Sequence, residues 1–145
     1  MTPIGQDRIR ALVRHAGSMC LLERVLGWDA TSMVCETRSH LDPAHPLRRD
    51  GVLAGLHLIE YCAQAIALHR GLVAEAAGKT APPGWLVAIR DFNLQVERLD
   101  DLPGPITIKA HELLYYEGGT QYEIVGEADG RSIGGGRISV VRVPQ

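Results

Sequence analysis

No tract of five consecutive basic residues occurs in this 145-residue chain, and its formal net charge is only −2. Both absences exclude general nucleic-acid binding, which needs a strongly basic surface. A membrane span is excluded too, because the richest apolar stretch, about Val52 to His69, is interrupted by His57, Glu60 and Gln64. Residues 1–17, MTPIGQDRIRALVRHAG, lack the basic-then-apolar order of a secretory signal. Cysteine is scarce: Cys20, Cys35 and Cys62 have no metal-type spacing, and an odd number does not form a disulfide framework. No internal repeat or low-complexity tract is present. The expectation is a cytoplasmic protein in a reduced compartment, with no structural metal.

What is present is enough for one domain spanning 1–145, since 46% of the residues are hydrophobic. Residues 6–15 place Ile9, Leu12 and Val13 on one helical face, and Gly17 ends that helix. Met19 to Asp29 reads as a strand, Thr31-Ser32 as a turn, and Met33 to His40 as its hairpin partner. Leu41 to Gly51, with two prolines, two aspartates and a glycine, reads as a loop. Asp50 is the candidate cap of a long helix whose most apolar part closes at Gly71, with VAEAA as a possible extension. After the AGKTAPPG linker the pattern turns to period two. Strands are expected at 84–96, 105–116, 121–128 and 132–143, separated by DDLPG, EGG and DG turns. One long helix and a run of antiparallel strands bury each other best when the sheet curls around the helix, an α+β hotdog fold. A doubly wound α/β sheet would need more crossover helices than this chain has.

The long helix carries a single acid, Glu60, with Gln64 one turn later. A helix apolar on nearly all sides is wrapped by other structure. A carboxylate there has to be paired, hydrogen-bonded or used.

At these residues the chain resembles a known family. His15-Ala-Gly-Ser-Met-Cys-Leu-Leu-Glu-Arg-Val25 is similar to the opening strand of the beta-hydroxyacyl-acyl-carrier-protein dehydratases. The run Gly55-Leu-His-Leu-Ile-Glu60-Tyr-Cys-Ala-Gln64-Ala is similar to their Gly-x-x-x-x-Glu-x-x-Ala-Gln helix, and Val87 to Phe92 and Leu102-Pro-Gly104 match the strand and turn that follow. The likeness spans about residues 15 to 128 and is nearest to the dehydratase-like proteins of aryl-polyene and related clusters. Two departures stand out. The family's His-Phe-Pro-Gly is here His45-Pro46-Leu47-Arg48, and the His-to-Glu spacing is one residue longer; the helix is entered through Ala54-Gly55 instead of Pro-Gly.

The resemblance implies elimination of water from a 3-hydroxyacyl thioester, giving a trans-2-enoyl thioester. His45 would be the base that takes the C2 proton, because imidazole titrates near neutrality. Glu60 would protonate the departing hydroxyl, with burial keeping the acid protonated. Backbone amides at the helix start, near Gly55, would stabilise the thioester oxygen, and Gln64 would orient Glu60. No cofactor is implied beyond the substrate's own phosphopantetheine or coenzyme A. The implied partners are an acyl carrier protein, met by Arg48 and Arg49, and a second hotdog subunit in a homodimer or heterodimer that joins His45 of one chain to Glu60 of the other.

Plainer readings stand beside these. His45, Arg48 and Arg49 could be solvated loop side chains, and Glu60 a carboxylate paired with an arginine. His40 is the substitute base if the insertion displaces His45. His57 reads as a core or interface histidine, His69 as a helix-end residue favoured by the dipole, and Cys62 as core filling. The Gly134-Gly135-Gly136 run reads as a bulge or close backbone approach. A hotdog thioesterase using Glu60, or a non-catalytic dehydratase partner, is the functional alternative.

Overall fold

Apolar side chains recur at three- and four-residue intervals from Leu58 through Tyr61, Cys62, Ala65, Ile66, Leu68 and Leu72, and all of them are buried. They form the inner face of the long helix, Leu58–Ala76 (α2), entered through a 3₁₀ turn at Gly55–His57. The computed structural model describes residues 3–13, 19–80, 85–116 and 118–142, with backbone only at 85–87 and 142. Gly17 and the rest of 14–18 therefore lie outside the described residues.

Both ends of α2 have identifiable causes. Asp50 does not cap it. Asp50 (φ 52°) and Gly51 (φ 78°) are the two central residues of a tight turn, across which Arg49 and Val52 exchange N–H···O bonds of 2.9 Å. Asp-Gly with two positive φ values is the preferred chemistry of a type I′ turn, and that preference outweighs capping. At the other end the helix continues through VAEA and stops at Gly78 (φ 71°). There the Gly78 and Lys79 amides donate to the Glu75 and Ala74 carbonyls at 3.0 and 2.8 Å, a Schellman arrangement.

The remaining elements are a short helix Gln6–Leu12 (α1) and strands Arg24–Trp28 (β1), Ser32–Thr37 (β2), Trp85–Leu94 (β3), Ile106–Tyr116 (β4), Gly119–Ala128 (β5) and Arg131–Arg142 (β6). They make one antiparallel sheet in the order β1-β2-β4-β5-β6-β3. Asp129-Gly130, both with positive φ, closes the β5–β6 hairpin as the DG signal indicated. Two expectations change. Met19 to Glu23 is not strand, and Ser39–Leu41 forms a 3₁₀ turn where the second hairpin strand was expected to continue.

The core lies between α2 and the inner face of the sheet, where Met33, Cys35, Ile108, Tyr122, Ile124 and Ile138 are buried. Glycine lets the sheet come close. A Cβ on Gly134 would stand 2.8 Å from the Leu58 side chain, and one on Gly136 would stand 2.6 Å from Cα of Phe92. The second contact is with backbone, at the bulge where the β3–β6 register shifts between Arg90 and Asn93. The glycine run thus marks a close approach. Gly136→Ala should destabilise the protein by about 1–3 kcal/mol, read as a lowered midpoint in chemical denaturation. Gly27→Ala, where the added Cβ meets nothing within 4 Å, is the control.

Candidate functional site

Helical spacing puts Gln64 one turn after Glu60, and its Nε2 donates to Glu60 Oε1 at 3.0 Å. The same amide nitrogen donates to the Met19 carbonyl at 2.6 Å, and Gln64 Oε1 accepts the Leu21 N–H at 2.8 Å. Gln64 is buried with every polar position used, so its orientation is fixed. It also explains why Met19 to Glu23 is not strand: the backbone of that segment is satisfied by a helix side chain and by hydroxyls, not by a neighbouring strand. Glu60 is half-buried, as are Ile59, Ala63 and Ala67 along the same stripe, which the described residues cover only in part, and Leu56 at the head of the stripe is 60% exposed.

His45 is only 5% exposed. Its Nδ1 accepts the Leu47 N–H at 3.1 Å, and its Nε2 meets the Tyr61 hydroxyl at 3.1 Å. Tyr61 in turn bonds Ser39 Oγ at 2.8 Å, and Ser39 donates to the Leu21 carbonyl at 2.7 Å. Burial lowers the pKa of His45, and the nearby Arg48 and His57 charges push the same way. Burial raises the Tyr61 phenol to about 12. Within the chain His45 is thus bound to Tyr61, the residue after Glu60, and both its nitrogens are occupied.

The helix entry is fastened by the segment that follows β3. Gly55 N–H donates to the Glu97 carbonyl at 2.8 Å, and a Cβ on Gly55 would lie 2.2 Å from the Val96 oxygen. Glycine is required there by backbone packing, and its amide is not free for a ligand. The next amide, that of Leu56, precedes the first amide bonded within the turn, that of His57, and makes no backbone bond among the described residues. Asp100, which sequence reasoning passed over, accepts the Leu53 N–H at 2.8 Å, and its pairing with Arg98 holds the carboxyl well below the usual range.

The two loop arginines differ. Arg48 is turned inward, donating to the carbonyls of Gly51 at 2.8 Å and His40 at 3.0 Å, so it ties the loop together and is not offered to a carrier. Arg49 is exposed. His40 is fully buried, with Nε2 on the Leu102 carbonyl at 3.0 Å and Nδ1 without a hydrogen-bond partner among the described residues, so it is closed off from solvent. His57 is half-buried in the entry turn. His69 is not at the helix end, because α2 runs on to Ala76. It is buried, donating from Nε2 to the Asp29 carbonyl at 2.8 Å and bonded through Nδ1 to the Tyr122 hydroxyl. Cys62 lies in the core, where burial pushes its thiol pKa up.

A groove of about 370 Å³, lined by Asp91, Asn93, Gln95, Glu123, Ser132 and Arg137 among others, touches neither Glu60 nor His45. β3 is the last strand of the sheet, and Ile89 and Leu94 on it are 42% and 39% exposed. An open apolar edge beside a partly covered helix stripe calls for a cover. Among the described residues, no helix is long and apolar enough to cross a membrane.

The chain matches the model of the ApeP-like family, described as ApeP dehydratase, over residues 7–145. In fold it is similar to the dehydratase heterocomplex ApeI:P from Xenorhabdus doucetiae, at 21% identity and TM-score 0.83, covering 94% of this chain and 91% of that one. It is also similar to a hypothetical thioesterase with coenzyme A from Streptococcus pneumoniae, at 15% identity and TM-score 0.57, covering 83% and 85%. A mutant of thioesterase PA1618 from Pseudomonas aeruginosa aligns at 15% identity and TM-score 0.51, covering 94% of each chain. No curated protein sequence matches the chain.

Burial lowers the pKa of His40, His45 and His69 alike, each from an ordinary value of 6.5. The unfolded chain therefore takes up protons at these sites before the folded one does. Stability is full above that value and falls as pH drops from it through the lowered folded values. Melting temperature should fall between pH 7.5 and pH 5, and His69→Gln should flatten the slope. A melting temperature constant across that range would refute the neutral, buried assignment.

Proposed function

The chain belongs to the ApeP-like dehydratase family, and from that membership we propose that it removes water from a 3-hydroxyacyl thioester carried on phosphopantetheine, giving the trans-2-enoyl thioester. The observation that carries this reading is the Glu60–Gln64 pair, held rigidly on the partly covered stripe of α2. Glu60 donates its proton to the departing 3-hydroxyl, and Gln64 keeps the carboxyl aimed. The thioester oxygen lies at the Gly55–Leu56 turn, where the Leu56 N–H and the positive end of the helix stabilise the charge that develops on it. His45 takes the C2 proton. For that, its ring must release the Leu47 N–H, which occupies the lone pair in the arrangement described above.

The site is completed by a second hotdog subunit. The open β3 edge and the exposed Ile89 and Leu94 support this, and the similar Xenorhabdus structure is itself a heterocomplex. The reaction proceeds between chains, with a histidine from one facing Glu60 of the other. Arg49, exposed on the turn before the helix, meets the phosphate or acidic surface of the carrier.

One observation favours a second reading. Because both His45 nitrogens are bonded inside the chain, His45 could serve only to staple the loop. This chain would then contribute Glu60 and the helix entry, while the partner subunit supplies the working histidine. Hydrolysis to the free acid is the thioesterase alternative and needs no histidine.

The test is to incubate the complex with its partner subunit and a 3-hydroxyacyl carrier thioester and follow the acyl mass. Loss of one water is expected, and free acid would overturn the dehydratase reading. Glu60→Gln should slow dehydration by at least about 10²-fold, the usual worth of a general acid. His45→Ala should do the same on the first reading and leave the rate within a few-fold on the second.

A further inference from the structure

We infer that Tyr61 is a positioning residue for His45, fixing the ring proton on Nε2 and leaving Nδ1 as the basic atom of the imidazole. The inference deepens the reading in which His45 is the base, and it rests on the direction of the hydrogen bond that the Leu47 amide makes to the ring. At one end stands the Leu47 amide, which can only donate, so Nδ1 presents a lone pair. A neutral imidazole with a bare Nδ1 carries its hydrogen on Nε2, and that hydrogen points at the Tyr61 oxygen. At the other end stands the Leu21 carbonyl, which can only accept and is reached by Ser39 at 2.7 Å and Thr37 at 2.6 Å. Tyr61, accepting from Nε2, has Ser39 Oγ at 2.8 Å as the acceptor for its own hydrogen.

This assigns chemistry to atoms. The substrate's C2 proton passes to Nδ1, competing there with the Leu47 amide, and the electron pair of the broken C–H bond forms the enoyl double bond as Glu60 protonates the leaving hydroxyl. The imidazolium so formed keeps its Nε2–H on Tyr61, a bond that strengthens when the donor is charged. Tyr61 thus acts as the orienting third member of an acid–base pair, as a base held by a group behind it requires. The charges facing the ring are Arg48, His57 and His40, which oppose its protonation, and Asp42, which favours it; Glu23 faces the Tyr61 hydroxyl. Removing the phenol oxygen leaves all of these in place.

The experiment is nitrogen-15 NMR of the histidine rings in the purified protein, paired with the pH profile of dehydration in the complex. Wild-type His45 should carry an exchange-protected proton on Nε2. In Tyr61→Phe the imidazolium loses its acceptor, so the His45 pKa should fall by about 0.5 unit or more, and the acidic limb of kcat/KM should move down with it while KM holds. Tyr122→Phe removes an equally buried hydroxyl, one bonded to His69, and should leave His45 unchanged. Should Tyr61→Phe fail to fold, Ser39→Ala breaks the next link and should move His45 the same way by less. A wild-type proton on Nδ1, or an unmoved His45 titration in both variants, overturns the assignment. Full activity in His45→Ala would instead overturn the role of His45 as base while leaving the NMR result standing.

Discussion

Everything at the site depends on how the Gln64 amide is used. It holds Glu60 on one side and the backbone of Met19 and Leu21 on the other. The Leu21 carbonyl, placed by that contact, receives Thr37 and Ser39, and Ser39 holds Tyr61, which holds His45. The proposed acid and the proposed base are therefore linked through one continuous, buried hydrogen-bond series inside a single chain. Such a series is stiff only when complete, because a buried donor or acceptor left without a partner costs about 1–3 kcal/mol. Loss of the Gln64 side-chain amide would release three bonds and the segment that supports the histidine.

That series also separates what could be read from the sequence from what could not. Period-two alternation and the Asp-Gly and glycine turns placed β3 to β6 to within a residue or two, since strand and hairpin signals are local. The Glu60–Gln64 contact was legible because helical spacing alone brings the two together. Met19 to Glu23 was misread because its partner is a side chain far along the sequence, and apolar residues such as Leu21 and Leu22 look the same beside a helix as in a strand. Asp50 was misread because Asp-Gly satisfies two rules at once. Tyr61 was overlooked for another reason: between Glu60 and Cys62 it reads as core, and only the fold shows its hydroxyl reaching His45.

Gly55 is needed for a reason its position in the sequence does not disclose. Its place at the helix entry suggested room for a ligand, whereas the missing side chain is filled by the Val96 backbone and the amide by Glu97. The consequence is useful, since the fastening by Glu97 and Asp100 fixes the direction in which the following Leu56 amide points. Preorganised donors work because they do not have to reorganise as charge develops. A helix entry pinned on two sides by a neighbouring loop provides such rigidity.

On the proposed reading, the same economy gives the molecule a use for a second subunit. A sheet that curls around one helix leaves part of that helix less covered, and among the described residues this is the stripe from Leu56 to Ala67. It carries the Glu60 carboxyl, so whatever covers the stripe also closes the site around the acid. A water-soluble partner that merely filled the apolar area would bury Glu60 unpaired, at a cost of several kcal/mol. Only a partner that brings a polar group or a substrate hydroxyl to that carboxyl makes the cover stable. On that reading, the constraint that would make this face an interface is also the one that would make it a place for chemistry.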